Sequence, residues 1–414
     1  MEMTKYKLGD VCEIFGRIGF RGYTAQDLVE SPKDGAITLS PTNIVNGELD
    51  FTNSTYLSWD KYEESPEIKI NENDIVVVKT ASVGKCALVR KLPHPTTLNP
   101  QFVVLKKIQA DPVYLSYIIK GKSFQSSLKA ITAGSVVPTL SQKHMADIEI
   151  YLPDLKNQKK IASVLSALDD KIALNKKMNQ KLEAMVKRLY DYWFVQYDFP
   201  DKNGHPYKTT DGKMEYNPTL KREIPEGWTD GVLSDIANIT MGQSPDGSSY
   251  NEDGEGMIFY QGCTDFGMRF PTARQYTTAP TRFAKKGDIL MSVRAPVGAV
   301  NIANTDCCIG RGLSALNSKL GSLSHLYFLI DVFKKTFENK NTVGTTFGSI
   351  TKDELYALPV VIPDKNVIEQ FEKMAKPIFD RQMKLGEESN RLTALRDKLL
   401  PLLMNGQVEI RDVL

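Results

Sequence analysis

The chain carries one pattern twice. Ala146-Asp-Ile-Glu-Ile-Tyr-Leu-Pro153 opens into a long helical run, and Tyr356-Ala-Leu-Pro-Val-Val-Ile-Pro363 opens into another 210 positions later. Upstream, Asn73-Asp-Ile-Val-Val-Val78 is matched by Gly287-Asp-Ile-Leu-Met-Ser292, Ser82-Val-Gly84 by Pro296-Val-Gly298, and Leu8-Gly-Asp10 by Leu233-Ser-Asp235. A duplication of this extent predicts two similar globular units, each handing its chain to a long helix. Two such units can touch a repetitive partner at two separated places, and duplex DNA is the obvious partner of that kind.

The helical runs are heptads. In the first, Ile161, Leu165, Leu168, Ile172, Asn175, Asn179, Leu182, Val186, Leu189 and Trp193 advance by alternating steps of four and three, the seam of a coiled coil. In the second, the seam is Ile368, Phe371, Ala375, Ile378, Gln382, Leu385, Ser389, Leu392 and Leu399. The two seams share one register: Ile161 maps onto Phe371, Leu168 onto Ile378, Leu182 onto Leu392 and Leu189 onto Leu399. The first helix should reach roughly 50–55 Å at 1.5 Å per residue. Polar seam residues (Asn175, Asn179, Gln382, Ser389) fix register at some cost in stability. Pro377 is expected to kink the second helix and Gly406 to mark its end. Tyr192-Trp-Phe-Val-Gln-Tyr197 is an aromatic end that should pack within the chain.

The expected architecture is therefore α+β with a pseudo-two-fold internal repeat. A globular unit spans 1–153, a helix 154–197, a polar connector 198–227, a second unit 228–363 and a second helix 364–414. The two helices should pair antiparallel, with one unit at each end. Within the first unit Glu67–Ile70, Asp74–Val78 and Phe102–Leu105 read as strands and Val113–Lys129 as a helix.

With 41% hydrophobic residues the chain can build real cores. It shows no signal peptide and no apolar run of spanning length, and its five cysteines form no C-x-x-C. Reduced thiols and a cytoplasmic setting are expected. Net charge is only +2, but it is unevenly spread. Residues 1–74 hold seven Lys/Arg against fourteen Asp/Glu, whereas 75–146 hold ten against one. In the second copy, 266–330 carry eight basic groups against Asp288 and Asp306. Such segregation suits a face that neutralises phosphates.

No catalytic pattern is present. Val83-Gly-Lys-Cys86 lacks the first glycine of a phosphate loop, position 79 being Lys, and has Cys86 where a magnesium-binding hydroxyl belongs. Nucleotide, zinc-protease, serine-hydrolase and amino-methyltransferase signatures are also missing. What remains is reading, which needs Arg, Lys, Gln and Ser on loops that can enter a groove. The candidates are Arg17, Arg21, Lys79, Ser82 and Lys85 in the first copy. In the second they are Gln243, Ser244, Tyr250, Arg269, Arg274, Arg294 and Arg311.

The order of these features resembles the specificity subunit of a type I restriction–modification system. The carriers are the duplicated plan, Leu233-Ser-Asp-Ile236, Met241-Gly-Gln-Ser-Pro245, Lys286-Gly-Asp-Ile-Leu-Met-Ser292 leading to Val297-Gly298, and Ile148–Pro153 running into Asn157–Leu165 and Asp169-Asp-Lys-Ile172. The resemblance implies two target-recognition domains, each reading half of a split, asymmetric DNA site, on helices that set the gap. It implies two methyltransferase subunits using S-adenosylmethionine on adenine, and motor-nuclease subunits using ATP and Mg for restriction. It implies no cofactor, catalysis or membrane contact for this chain. Roughly 50 Å of helix corresponds to about 15 base-pair steps. The competing readings are a two-headed peptide- or glycan-binding scaffold on a coiled-coil rod and, less compatible with the missing motifs, a fused restriction–methylation enzyme.

Overall fold

The computed structural model describes residues 1–410 apart from 133–138 and 343–347. The chain divides into two compact units, one formed by Met1–Asp170 with Thr393–Leu414, the other by Lys171–Leu392. Each unit owns a stretch of both long helices, α1 (Leu155–Tyr190) and α2 (Lys365–Met404).

The first unit is organised around Ile75–Val78, a run with no polar residue. A strand of this kind needs cover on both faces. Side chains alternate along it, so Ile75 and Val77 enter a core with Leu88, Val103, Leu105 and Tyr114, while Val76 and Val78 enter another with Leu39, Leu98 and Phe102. It lies inside an antiparallel sheet ordered Glu13–Gly16, Phe102–Lys106, Ile75–Val78, Cys86–Leu88. A second sheet is ordered Thr96–Leu98, Gly35–Leu39, Thr55–Ser58, Leu28–Val29. Thr4–Lys7 pairs antiparallel with Glu149–Leu152 just before α1.

Two local expectations change. Glu67–Ile70 is not a strand: Pro66 starts a 3-10 turn, Pro66–Ile68, where its fixed φ and missing N–H are tolerated. The helix expected over Val113–Lys129 is two helices, Pro112–Lys120 and Lys122–Thr132, separated at Gly121.

The second unit has a sheet of the same strand order: Ala237–Met241, Leu313–Ser318, Ile289–Ser292, Val300–Ile302. Its first strand, Thr229–Val232, pairs with Pro359–Ile362 just before α2. Beside it lies a five-stranded sheet, Tyr250–Asn251, Tyr276–Thr277, Met257–Tyr260, Cys307–Ile309, Phe283–Ala284. Residues 198–227, expected as a connector, are folded onto this unit. Phe199 stacks on Tyr207 at 4.6 Å and on Trp228 at 5.0 Å, and Met214–Asn217 pairs with Arg222–Pro225. The Gly, Pro and Lys content suggested a tether, but apolar groups spaced through the segment find a core. A π-helical turn, Asp191–Val195, follows α1 and buries Trp193 and Phe194, with Phe194 at 4.9 Å from Phe371.

Within the first unit, Ile161 and Leu165 of α1 share a core with Leu399 and Leu403 of α2, and Arg396 donates to Asp169 at 2.9 Å. Within the second, Asn175 donates to Glu388 at 2.8 Å and Gln382 to the Asn179 carbonyl at 3.3 Å. Numbering falls along α2 as it rises along α1, so the stretches inside each unit run antiparallel. None of the expected seam residues is exposed. Ile161, Leu165, Phe371 and Leu385 are buried, and Leu168, Ile172, Leu182, Leu189, Ile378, Leu392 and Leu399 are half-buried. Pro377 does not interrupt α2, and Gly406, at φ +69°, follows its end.

Candidate nucleic-acid interface

In the second unit, loops at the strand ends enclose a cleft of about 260 Å³ lined by Gln261, Asp265, Arg274, Gln275, Arg294 and Arg311, among others. Three of the arginines expected from sequence therefore meet in one place.

Each is held by local structure. Arg294 follows Ile289–Ser292, whose last hydroxyl donates to the Pro296 carbonyl at 2.5 Å and accepts the Ala299 N–H at 2.9 Å, closing the loop. Arg294 also forms a backbone bridge to Ser349. Arg311 sits between two glycines because its turn lies on the Gln261 backbone. A Cβ on Gly310 would stand 2.9 Å from the Gln261 Cα, and one on Gly312 2.6 Å from its carbonyl oxygen. The Arg311 N–H donates to the Ser244 hydroxyl at 3.2 Å. Arg274 Nε donates to Asp265 at 3.0 Å. Among the described residues, neither Arg294 nor Arg311 has a carboxylate within ion-pair range. The cleft thus presents two unopposed guanidinium groups beside two amides. Guanidinium pairs with the guanine O6/N7 edge or a phosphate, and a Gln amide with the adenine N6/N7 edge.

The family model of the type I restriction modification DNA specificity domain matches residues 1–184 and 225–393. The chain belongs to this family. It is 28% identical to the MjaX specificity subunit of Methanocaldococcus jannaschii, over 98% of this chain and 93% of that one. It is 25% identical to the MjaIX type I restriction enzyme specificity subunit of the same organism, over 82% and 78%. The crystal structure of the type I restriction–modification S subunit from M. genitalium superposes with a TM-score of 0.61 at 15% identity, over 97% of this chain and 96% of that one. That likeness establishes a shared mixed α/β, two-domain fold.

The remaining candidates of this specificity-family chain are placed differently. Arg269, expected as a reader, is 4% exposed. It pairs with Glu183, and its guanidinium lies 4.7 Å from the Tyr327 ring centre and 4.8 Å from that of Phe379. Arg17, also expected as a reader, is 6% exposed and donates through Nε and Nη2 to the Leu98 carbonyl, both at 3.2 Å. Loss of water around it lowers its pKa. Inside the fold Arg17 found carbonyl acceptors and Arg269 a carboxylate between two rings, which loop position alone did not reveal. Arg21 is half-buried beside Glu67 at 3.5 Å. Gln243 is exposed, while Tyr250 donates to the Pro245 carbonyl at 3.0 Å and packs on Phe259.

In the first unit the loop equivalent to that of Arg294 carries Lys79, Ser82 and Lys85. Thr80 makes the bridge to Thr139 that Arg294 makes to Ser349. Ser82 is exposed, and Lys85, exposed, donates to the Pro41 carbonyl at 2.6 Å. Lys79 is half-buried, and desolvation lowers its pKa. The charge segregation of this half is partly neutralised by pairing: Lys107 meets Glu13 at 2.9 Å on the surface, and Lys106 meets Asp74 at 3.9 Å in a more buried pair. Segments far apart in sequence lie beside each other in the sheet, so their charges pair.

Sequence reasoning missed Gln261 and Asp265, and it marked the loop Arg269–Tyr276 without choosing Gln275 in it. Gln261 directly follows the strand Met257–Tyr260, and it is a polar residue on a loop like the other candidates, so a signal existed. Among the described residues no helix is long and apolar enough to cross a membrane, and no cluster of His, Cys, Asp and Glu could hold a metal.

Proposed function

We propose that this chain is the DNA-sequence-recognition subunit of a type I restriction–modification complex, with 1–153 and 228–363 as target-recognition domains that each read one half of a split asymmetric site. The convergence of Arg274, Arg294 and Arg311 with two glutamines on one cleft carries this reading, in a chain whose family is the DNA specificity family. The helices over 154–197 and 364–414 pair as an antiparallel coiled coil, the two halves being related by a pseudo-two-fold axis. That pair sets the unread gap and seats two methyltransferase subunits, and motor-nuclease subunits join for restriction. The folded segment 198–227 leads into the second domain. The chain contributes recognition without catalysis and binds no cofactor. S-adenosylmethionine belongs to the methyltransferase, ATP and Mg to the motor-nuclease, and the complex works in the cytoplasm.

The division of labour follows from the site's chemistry. Unopposed guanidinium groups and amides read base edges, but none of them activates a nucleophile or binds a methyl donor. The test is methylome sequencing of cells carrying this chain with its methyltransferase against cells lacking it. A split, asymmetric, adenine-methylated motif is expected. Purified complex should also lose affinity steeply with added salt, as phosphate contacts require. Absence of any new motif, together with salt-independent binding, would overturn the reading.

A further inference from the structure

We infer that Arg269 is a positioning residue that sets the shape of the recognition cleft from inside the second unit. The inference rests on the reading that this cleft meets DNA. Arg269 and Phe270 form the tip of a loop whose two arms supply cleft residues, Cys263 to Asp265 on one side and Arg274 with Gln275 on the other. The arms are tied together. The Thr272 N–H donates to the Asp265 carbonyl at 2.8 Å, Arg274 bonds Asp265, and Gly267 N–H donates to the Phe270 carbonyl at 3.1 Å. A side-chain amide and a backbone bond from the neighbouring sheet hold the same loop: Asn301 Nδ2 donates to the Gly267 carbonyl at 2.9 Å, and Ile302 N–H donates to the Arg269 carbonyl at 2.9 Å. These bonds tie the two arms of the loop to each other and to that sheet.

Its tip is pinned into the helices. Arg269 Nη2 donates to Glu183 of α1, and the same carboxylate oxygen accepts from Gln382 of α2 at 2.8 Å. Tyr327 and Phe379 bracket the guanidinium. Phe270 fills the place where a side chain on Gly386 would stand, with its Cε2 at 2.7 Å from that Cβ position. One carboxylate thus joins both helices to the tip of the loop that carries Arg274 and Gln275. The planar, multi-donor guanidinium suits this junction, because it can bond Glu183 while its faces rest on rings.

The experiment uses the full chain in complex with its methyltransferase and the target identified by methylome sequencing. Methylation of that target is compared with methylation of single-base variants in each half-site. Discrimination is a ratio, so a smaller folded fraction leaves it unchanged. Arg269→Met should reduce discrimination about tenfold in one half-site, the one Arg294→Ala also weakens, and leave the other intact. Arg269→Lys keeps a cation against Glu183 and should recover part of the loss. Glu183→Gln, which keeps the shape, should fall between. Wild-type discrimination in both halves for all three variants overturns the inference, whatever happens to the melting temperature. If these variants alter one half-site while Arg294→Ala and Arg311→Ala alter neither, the cleft is not the reading surface and the inference falls with that reading.

Discussion

A buried arginine and an exposed one are the same residue doing different work, and this chain holds both kinds on neighbouring loops. Among the described residues no carboxylate lies within ion-pair range of Arg294 or Arg311 in the cleft, so each keeps its guanidinium donors for a ligand. Arg294→Ala should cost about 1–3 kcal/mol of binding and relax selection in one half-site only, measured by competition with single-base variants. Equal relaxation in both halves would exclude modular reading. Gly386 makes a different point. An alanine in a helix is worth about 1 kcal/mol over glycine, but overpacking a filled core costs about 1–3 kcal/mol. With Phe270 2.7 Å from the added atom, Gly386→Ala should lower the melting temperature. His325 lies in the same unit, 2% exposed and 4.6 Å from Phe194, and burial lowers its pKa from 6.5 to about 3. The unfolded chain binds a proton there that the folded chain refuses. Stability should therefore fall as pH drops from about 6.5 towards 3, and thermal melts of His325→Leu should lose that part of the slope.

At the scale of elements, the helices show what heptad patterning does and does not specify. Leu165 is fully buried, and Leu165→Ala should destabilise by about 2–5 kcal/mol in urea unfolding. Three of the four polar members of the seam are buried too, Asn175 at 1%, Asn179 at 3% and Gln382 at 0% exposed, while Ser389 is half-buried. Among the described residues neither side-chain polar atom of Asn179 has a hydrogen-bond partner, while its backbone carbonyl receives Gln382. Asn179→Leu should therefore stabilise the chain by roughly 1–3 kcal/mol. Gln382→Leu should do the reverse, because it strips a hydrogen bond from Glu183. Opposite signs are the expected pair of results, and equal destabilisation would mean that Asn179 has a role the contacts do not reveal. The heptads were legible because apolar spacing survives any context. The break at Gly121 and the 3-10 turn at Pro66 were written in single residues and were masked by the helix-like and strand-like patterns around them.

For the whole molecule, the proposed function makes helix length a molecular ruler. Four residues inserted after Asn175 add about 6 Å of rise, near two base-pair steps, and slightly more than one turn, so the seam is shifted by a stutter but not inverted. The partner stretch must lengthen equally, and Asn175 bonds Glu388 in an antiparallel pair, so the matching insertion belongs just before Glu388, after Glu387. The doubly lengthened chain should direct methylation to the same half-site sequences with the gap about two base pairs longer, read by methylome sequencing. Methylation at the original spacing would show that the helices do not measure the gap.

The amino-acid sequence by itself determined the repeated pattern, the two heptad helices, the strands within Asp74–Val78 and Phe102–Leu105, and the family. Each of these rests on periodicity or order along the chain, which needs no knowledge of what folds against what. Only the tertiary structure decided which loop residues could act. Arg269 and Arg294 look alike in sequence, yet one is bracketed by Tyr327 and Phe379 and bonded to Glu183, while the other lies open in the cleft. The acids of 1–74 and the bases of 75–146 looked like opposed faces until strand pairing set Lys107 against Glu13. Segment 198–227 looked like a tether until Phe199 met Trp228. The physical reason is the same in all three. Whether a charge, an amide or a ring is available depends on its neighbours in space, and those neighbours come from remote parts of the chain.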